Sequence, residues 1–588
     1  MKRRQFLSAS LALAGSAMLR IPDAWPASAA ERIKPGAPGW PSDGDWATLK
    51  QAVGGRLSPV VAPDVNDPTV RKLIRDPFYA GDEPGLTESS GWLDAWRSEP
   101  SAYVVAAESA ADVAAAIRFA ASHNVRLVVK NVGNSYLGAS CAPGSLLIWT
   151  HRMNAITLHD AFTPQGSDAP PVPAVSAGGG CIWLKAYQAV TVGAGRYVQG
   201  SGCTTVGVAG LVQGGGFGSF SKAFGLAAGS LLEAEIVTAD GEIRVVNDAR
   251  EPDLFWALKG GGGGTFGVVT RVTLATRDLP ETMGAVSLNL RARSDEAYRR
   301  LLARFVDLYR TNLFNPHWGE QARARPDNRL RIDMVFQGLN QDEARDAWTP
   351  LIDFVNANRD DYDGQDTLMV VAAPFRGYWD ADFLRRYAPS AVVFSHRPGA
   401  APTDFWWVGD GGQAGAFWSA YSSAWLPAAL LQPQNQSAFV DAWFAASRFW
   451  DVSLHFNKGL AGASPNALAA ARDTAMNPDV LDAFALAIIA CEELPAYAGM
   501  PAPNLAAAGA RRTLVDEAMR ALRGAAPATG AYVYECDYFQ PNWQAAFWGS
   551  NYSRLAEIKR RYDPDGLFFV HHGVGSEDWS PDGFTKTR

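Results

Sequence analysis

Three features of the 588-residue sequence predict an α+β protein in two parts. The first is a strand–helix–strand unit: an apolar run at 102–105, an alanine-rich helical period at 110–123 and a second apolar run at 125–129. The second is an alternating hairpin, 231–238 with 242–246, turning at Asp240-Gly241. The third is a change of texture from about 278 to 528, where helical periods (296–311, 341–358) alternate with strands (331–336, 367–372, 391–394) and tryptophan recurs. That stretch reads as a mostly antiparallel sheet backed by helices.

Composition narrows the class. Hydrophobic residues make up 47%, enough for complete folding, and the length suits two domains. A net charge of −7 leaves no basic stripe, which excludes nucleic acid as a partner. The 20 tryptophans, 28 phenylalanines and 17 tyrosines supply flat amphipathic surface suited to a small aromatic or sugar ligand. Residues 1–30 read as an address: Lys2-Arg3-Arg4-Gln5-Phe6-Leu7 precedes an apolar run, and Ala27-Ser28-Ala29 offers a cleavage site. The run is too short to span a bilayer, and the paired arginines resemble a twin-arginine signal, so a periplasmic or secreted location is expected. Five irregularly spaced cysteines contain no Cys-x-x-Cys pair, and His571-His572 would face opposite sides of a strand, so no metal site is expected.

Along the chain, a proline- and glycine-rich lead at 34–45 is irregular. After the first unit, Lys130-Asn131-Val132-Gly133-Asn134-Ser135-Tyr136 forms a polar turn whose N–H groups suit a phosphate. Residues 199–229 hold ten glycines and one cysteine, Cys203, a density that lets backbone approach a large flat or charged group closely. Further on stand Asp253-Leu254-Phe255-Trp256-Ala257-Leu258-Lys259, five glycines to Gly264 and then Thr265-Phe266-Gly267-Val268-Val269. In the second part, 451–456 alternates, placing Asp451, Ser453 and His455 on one face. Near the end, 530–537 reads as a strand, and Gly549-Ser550-Asn551-Tyr552-Ser553-Arg554-Leu555 opens an amphipathic helix ending at Asp563-Pro564-Asp565-Gly566.

These segments, in this order, resemble the vanillyl-alcohol-oxidase superfamily, specifically the berberine-bridge-enzyme-like oxidases. The resemblance rests on Cys203-Thr204-Thr205-Val206-Gly207, the Asp253–Val269 stretch and the Asn551–Pro564 stretch. It implies a PCMH-type FAD-binding domain at 96–279, a substrate domain at 280–528 and a berberine-like segment at 529–588, after a lead at 31–95. The residues it places around FAD are Gly133, Asn134, Ser135, Tyr136, Cys203, Val206, Gly207, Gly210, Gly214, Gly215, Gly216, Gly218, Val268 and Asn551. In the family the cysteine forms a thioether to flavin C6, and a histidine of the phosphate turn bonds the 8α-methyl. Asn134 stands at the histidine position, and an amide makes no such bond, so a single link through Cys203 is expected. Val206 matches the family valine that leaves room for dioxygen.

Hydride transfer from a substrate C–H to flavin N5 requires a base for the attached hydroxyl or amine proton. The resemblance implies a carboxylate before the 457–462 turn, which Asp451 approximates, or a side chain near 534, where the register leaves Tyr534 and Glu535 open. The expected activity is an FAD-dependent oxidase of an alcohol- or sugar-type small molecule, with dioxygen reduced to hydrogen peroxide. A dehydrogenase with a periplasmic electron acceptor and an exported, non-catalytic flavin-binding protein remain the alternatives.

Overall fold

The computed structural model describes residues 31–526 and 529–587, so the export-signal pattern of residues 1–30 lies outside the described residues. The first unit forms as its pattern predicts. The helix Ala110–Ser122 starts at a reciprocal cap: Ser109 Oγ accepts from Asp112 N at 3.2 Å, and Asp112 accepts from Ser109 N at 3.1 Å. Asp112 is also paired with Arg56 at 2.7 Å. The flanking strands Tyr103–Ala106 and Leu127–Lys130 both pair in parallel with Leu146–Trp149, and Leu57–Pro59 closes the sheet. A second, antiparallel sheet holds the hairpin strands Leu231–Val237 and Ile243–Val246 with Val268–Ala275, Val172–Gly178 and Ile156–Phe162.

The other part is a ten-stranded sheet whose long strands, Thr282–Ala292, Arg329–Gln337, Trp318–Ala324, Val452–His455, Ala483–Glu493 and Phe417–Pro427, are antiparallel throughout. Its edge reaches into the lead, where Gly91–Trp92 and Trp96–Arg97 extend it. One face is packed by the helices Asp295–Leu308, Gln341–Ala357, Pro433–Ser447 and Leu505–Arg523. The first shows why: Tyr298, Leu301, Leu302, Phe305 and Val306 recur at helical spacing, and all are buried. The opposite face carries Trp425, Leu486 and Ile488 into one core with Trp183, Val212, Phe217 and Trp548 of the glycine-rich part. Among the described residues no helix is long and apolar enough to cross a membrane.

Two expected strands do not form. Residues 530–537 make a turn closed by a bridge between Tyr532 and Glu535. The backbone there bonds elsewhere: Gly530 O accepts from Trp425 N at 3.1 Å, and Ala531 N donates to Ala546 O at 2.9 Å. At 569–575, His572 adopts a left-handed φ of 55°, so its ring stacks on His571 with centroids 3.9 Å apart instead of facing away.

Lys222 joins the two parts. Its buried ammonium donates to the carbonyls of Gly459 and Ala461 at 2.8 Å and of Phe484 at 3.1 Å. Burial lowers its pKa to about 7. Lys222→Met leaves those carbonyls without a donor, so a loss of about 3 kcal/mol in unfolding free energy is expected, measurable by denaturant titration.

Candidate active site

A cavity of about 410 Å³ runs between the two parts. One wall is the turn after Leu127–Lys130. Gly133 has φ 83°, and a Cβ there would stand 3.0 Å from Lys130 Cε and 3.2 Å from Thr87 Cα, so glycine is required. Gly207 is required for a related reason: a Cβ would lie 2.6 Å from Asn131 Nδ2, which donates to Cys181 O at 3.1 Å. Gly262, Gly263, Gly264 and Thr265 continue this wall. Lys559 of the helix Tyr552–Tyr562 anchors them, donating to Thr265 O at 2.7 Å while paired with Asp563 at 2.6 Å.

Cys203 and Val206 also line the cavity, the Cys203 N–H donating to Ser201 Oγ at 3.0 Å. Facing them are groups from the large sheet and its connections. Glu320 is the most constrained. The preceding residue, Gly319, passes so close to the Ser219 carbonyl that a Cβ would stand 1.7 Å from its oxygen, and Glu320 then takes a left-handed φ of 65°. Its carboxylate accepts the Ser219 hydroxyl and lies 3.6 Å from where a Gly202 Cβ would be, at the edge of the cysteine loop. Burial raises its pKa, offset in part by the Ser219 bond and Lys458. Lys458 Nζ is 2.5 Å from both carboxylate oxygens of Glu535. His455 is held neutral by burial, then by Lys458 and Arg323, and contacts Ser453 Oγ at 3.1 Å; that hydroxyl donates to Gln321 at 2.7 Å. Burial pushes Asp410 up to about 7 and lowers His571 to about 4 and His572 to about 3.

Of the residues expected around the cofactor, Gly133, Asn134, Ser135, Tyr136, Cys203, Val206, Gly207 and Gly210 line this cavity. Gly214, Gly215, Gly216 and Gly218 do not. Their missing side chains make room for protein instead: the Tyr534 ring at 2.0 Å, Met476 Sδ at 2.2 Å, Ala227 Cβ at 2.8 Å and Gly200 O at 2.1 Å, respectively. Val268 faces a separate core with Val237 and Phe568, while its neighbour Val269 faces the cavity, as strand alternation requires. Asn551 donates to Met476 O at 2.7 Å, away from the cavity.

The three candidate bases separate. Asp451 lies outside the cavity, ahead of Val452–His455, with its carboxylate 3.5 Å from Arg325. Tyr534 lines the cavity with its hydroxyl occupied, donating to Gly210 O at 2.8 Å and accepting from Gly263 N at 2.9 Å. Glu535 lines it as the partner of Lys458. Glu320, Asp410 and Lys458 are brought there by tertiary approach alone. In the sequence Glu320 carries no motif, and Asp410 sits in Gly409-Asp410-Gly411-Gly412, which reads as a turn.

Six buried polar atoms on the cavity wall have no partner: Asn131 Oδ1, Thr265 Oγ1, Asp410 Oδ2, Asn457 Oδ1, the Tyr532 hydroxyl and His572 Nδ1. Buried polar groups are rarely left unpaired, so this concentration marks a site built for a large ligand bearing donors and acceptors along its length. A 530 Å³ pocket on the other side of Val132 differs, because its charges answer one another. Asp82 pairs with His151 and Arg397, and Asp404 pairs with Lys185 and Arg397.

Residues 100–247 match the family described as FAD binding domain, and residues 531–575 match berberine and berberine-like proteins. An FAD-linked oxidoreductase of Arthroderma otae is 30% identical over 94% of this chain and 91% of that protein. A VAO-type flavoprotein oxidase of Thermothelomyces thermophilus is 28% identical over 94% of each. The crystal structure of a VAO-type flavoprotein from Myceliophthora thermophila superposes with a TM-score of 0.74 at 25% identity, covering 94% of this chain and 98% of that one. The turn, the glycine wall and the unpartnered atoms fit FAD, the cofactor of the matching binding-domain family.

Proposed function

This chain belongs to the berberine-bridge-enzyme-like FAD-linked oxidoreductases of the vanillyl-alcohol-oxidase superfamily, and on that footing we propose that it is an oxidase of an alcohol- or sugar-type small molecule. Bound FAD would supply hydride acceptance from the substrate carbon and electron delivery to dioxygen, giving hydrogen peroxide. We place it in the periplasm or outside the cell, on the Lys2–Leu7 pattern. Cys203 holds the ring by one covalent link, since Asn134 offers no second. Val206 keeps the adjoining space open to dioxygen.

The observation that carries this reading is the juxtaposition of Glu320 with the Cys203 loop in one cavity. A substrate hydroxyl beside the ring needs a proton acceptor there. Asp451 is outside the cavity, the Tyr534 hydroxyl is occupied at both donor and acceptor sites, and Glu535 is held by Lys458. Glu320 has one oxygen held by Ser219, leaving the other for the substrate proton, on a backbone fixed by the Gly319 contact. Lys458 and Glu535 orient the hydroxyls that flank the reacting one.

The acceptor must be ionised, so activity disappears as pH falls through its pKa. Because burial raises that pKa, the acid limb of kcat/KM should lie above the ordinary glutamate value of about 4.3. Glu320→Gln should remove the limb and lower kcat/KM about a hundredfold or more with flavin content unchanged. Peroxide formation across a panel of alcohols and sugars, read against pH, checks both. An unchanged profile in Glu320→Gln assigns the base elsewhere.

A further inference from the structure

Two tethers hold the segment around Asp410, one to the cysteine loop and one to the turn at 130–136. The Trp407 indole donates to Gly202 O at 3.1 Å, and the Tyr136 hydroxyl donates to Gln413 Oε1 at 3.2 Å. Between them the single turn Val408–Asp410 brings Asp410 beside the Cys203 loop. Asp410 Oδ2 is buried with no partner, and both residues line the cavity.

Around the sulfur everything but one group opposes a thiolate. Burial raises the thiol pKa most, Asp410, Glu88 and Glu320 add to it, and Lys458 alone counters. A sulfur in that setting reacts only if its proton leaves as the new bond forms. Of the other carboxylates, Glu535 is engaged by Lys458, and Glu320, with one oxygen on Ser219, is assigned above to the substrate proton.

We propose that Asp410 is the base that takes the Cys203 proton as the sulfur bonds the flavin ring, so that the chain attaches its own cofactor. This rests on the single-link attachment proposed above. In the net step the S–H bond breaks and its proton passes to Asp410 and on to solvent. A carbon–sulfur bond replaces the C6–H bond of the ring, whose hydrogen leaves as a second proton. The two electrons released pass through the ring to dioxygen, which ends as hydrogen peroxide. Thiol, ring and dioxygen thus become thioether and peroxide, with atoms and electrons balanced.

The test follows attachment, not turnover. Full-length chains produced under flavin limitation are mixed with FAD in air, sampled over time, denatured and filtered, and their intact masses are recorded. In air the parent chain should gain one FAD less two hydrogens. Asp410→Asn should bind FAD and release it on denaturation, with covalent incorporation slowed about a hundredfold or more. Asp410→Glu should recover part of the rate. Trp407→Phe, which keeps the carboxylate and removes a tether, should attach slowly at undiminished FAD binding, and it carries the test if Asp410→Asn does not fold. Attachment in Asp410→Asn or Trp407→Phe at the parent rate overturns the role of Asp410 alone. A parent chain that never gains the adduct overturns the single-link reading, and this one with it.

Discussion

Replacing Gly214 by alanine is expected to yield a chain that no longer holds flavin. A Cβ at this position would lie 2.0 Å from Tyr534 Cε2 and 2.5 Å from Cζ, distances that no side-chain adjustment absorbs because the ring is pinned at its far end. Its hydroxyl bridges Gly210 O and Gly263 N, one on each side of the cavity floor. Moving the ring by an ångström breaks both bonds and leaves a donor and an acceptor unpaired, at about 1–3 kcal/mol each. It also releases the glycine wall from the helix Val208–Gln213. Flavin content after reconstitution should fall at least tenfold, together with the unfolding midpoint. Gly210→Ala supplies the contrast, because a Cβ there meets nothing within 4 Å while the position lines the cavity. Alanine inside that helix should raise chain stability by about 1 kcal/mol while weakening flavin binding, since the methyl projects into the ligand's space. A flavin-to-protein absorbance ratio measured beside a melting curve separates the two outcomes.

Cys203→Ala is expected to convert a chain-bound flavin into a dissociable one without unfolding the protein. The thiol lies in a loop already ordered by Ser201 Oγ and by the Trp407 bond to Gly202, so its loss removes no contact that shapes the cavity. On the proposed single link through Cys203, no second bond remains to retain the cofactor, since the residue at 134 in the cavity wall is an asparagine. The native variant should stay yellow, and denaturation followed by filtration should move all the colour into the filtrate. Adduct persisting on the variant places the attachment at another residue.

How far each feature was legible depended on whether it arises locally. The phosphate turn and Cys203-Thr204-Thr205-Val206-Gly207 are continuous segments whose glycines and short polar residues express their own backbone requirements, and they line the cavity. The glycine run 214–218 was equally legible as a demand for close approach, but what approaches is Tyr534, Met476, Ala227 and Gly200. Sequence reports that a side chain must be absent and not what fills its place. Glu320 and Asp410 carried no signal, because one sits in a strand and the other in a glycine turn until Ser219 and Trp407 bring them to the cysteine loop. Asp451 was attractive from alternation alone, yet it falls just before the ordered strand, where Arg325 answers its charge. The turn at 530–537 was hidden for the same reason: Gly530 and Ala531 bond to Trp425 and Ala546, far along the chain.

The oxidase reading can be tested most directly without knowing the substrate. Bound flavin is reduced anaerobically with dithionite, mixed with air-saturated buffer in a stopped-flow instrument and followed by its absorbance, and peroxide is assayed at the end. Reoxidation faster than that of free reduced FAD, with one peroxide formed per flavin and slowed in Val206→Leu, is the predicted result. A protein-bound flavin that stays reduced in air while passing electrons readily to an artificial acceptor would contradict it and identify a dehydrogenase.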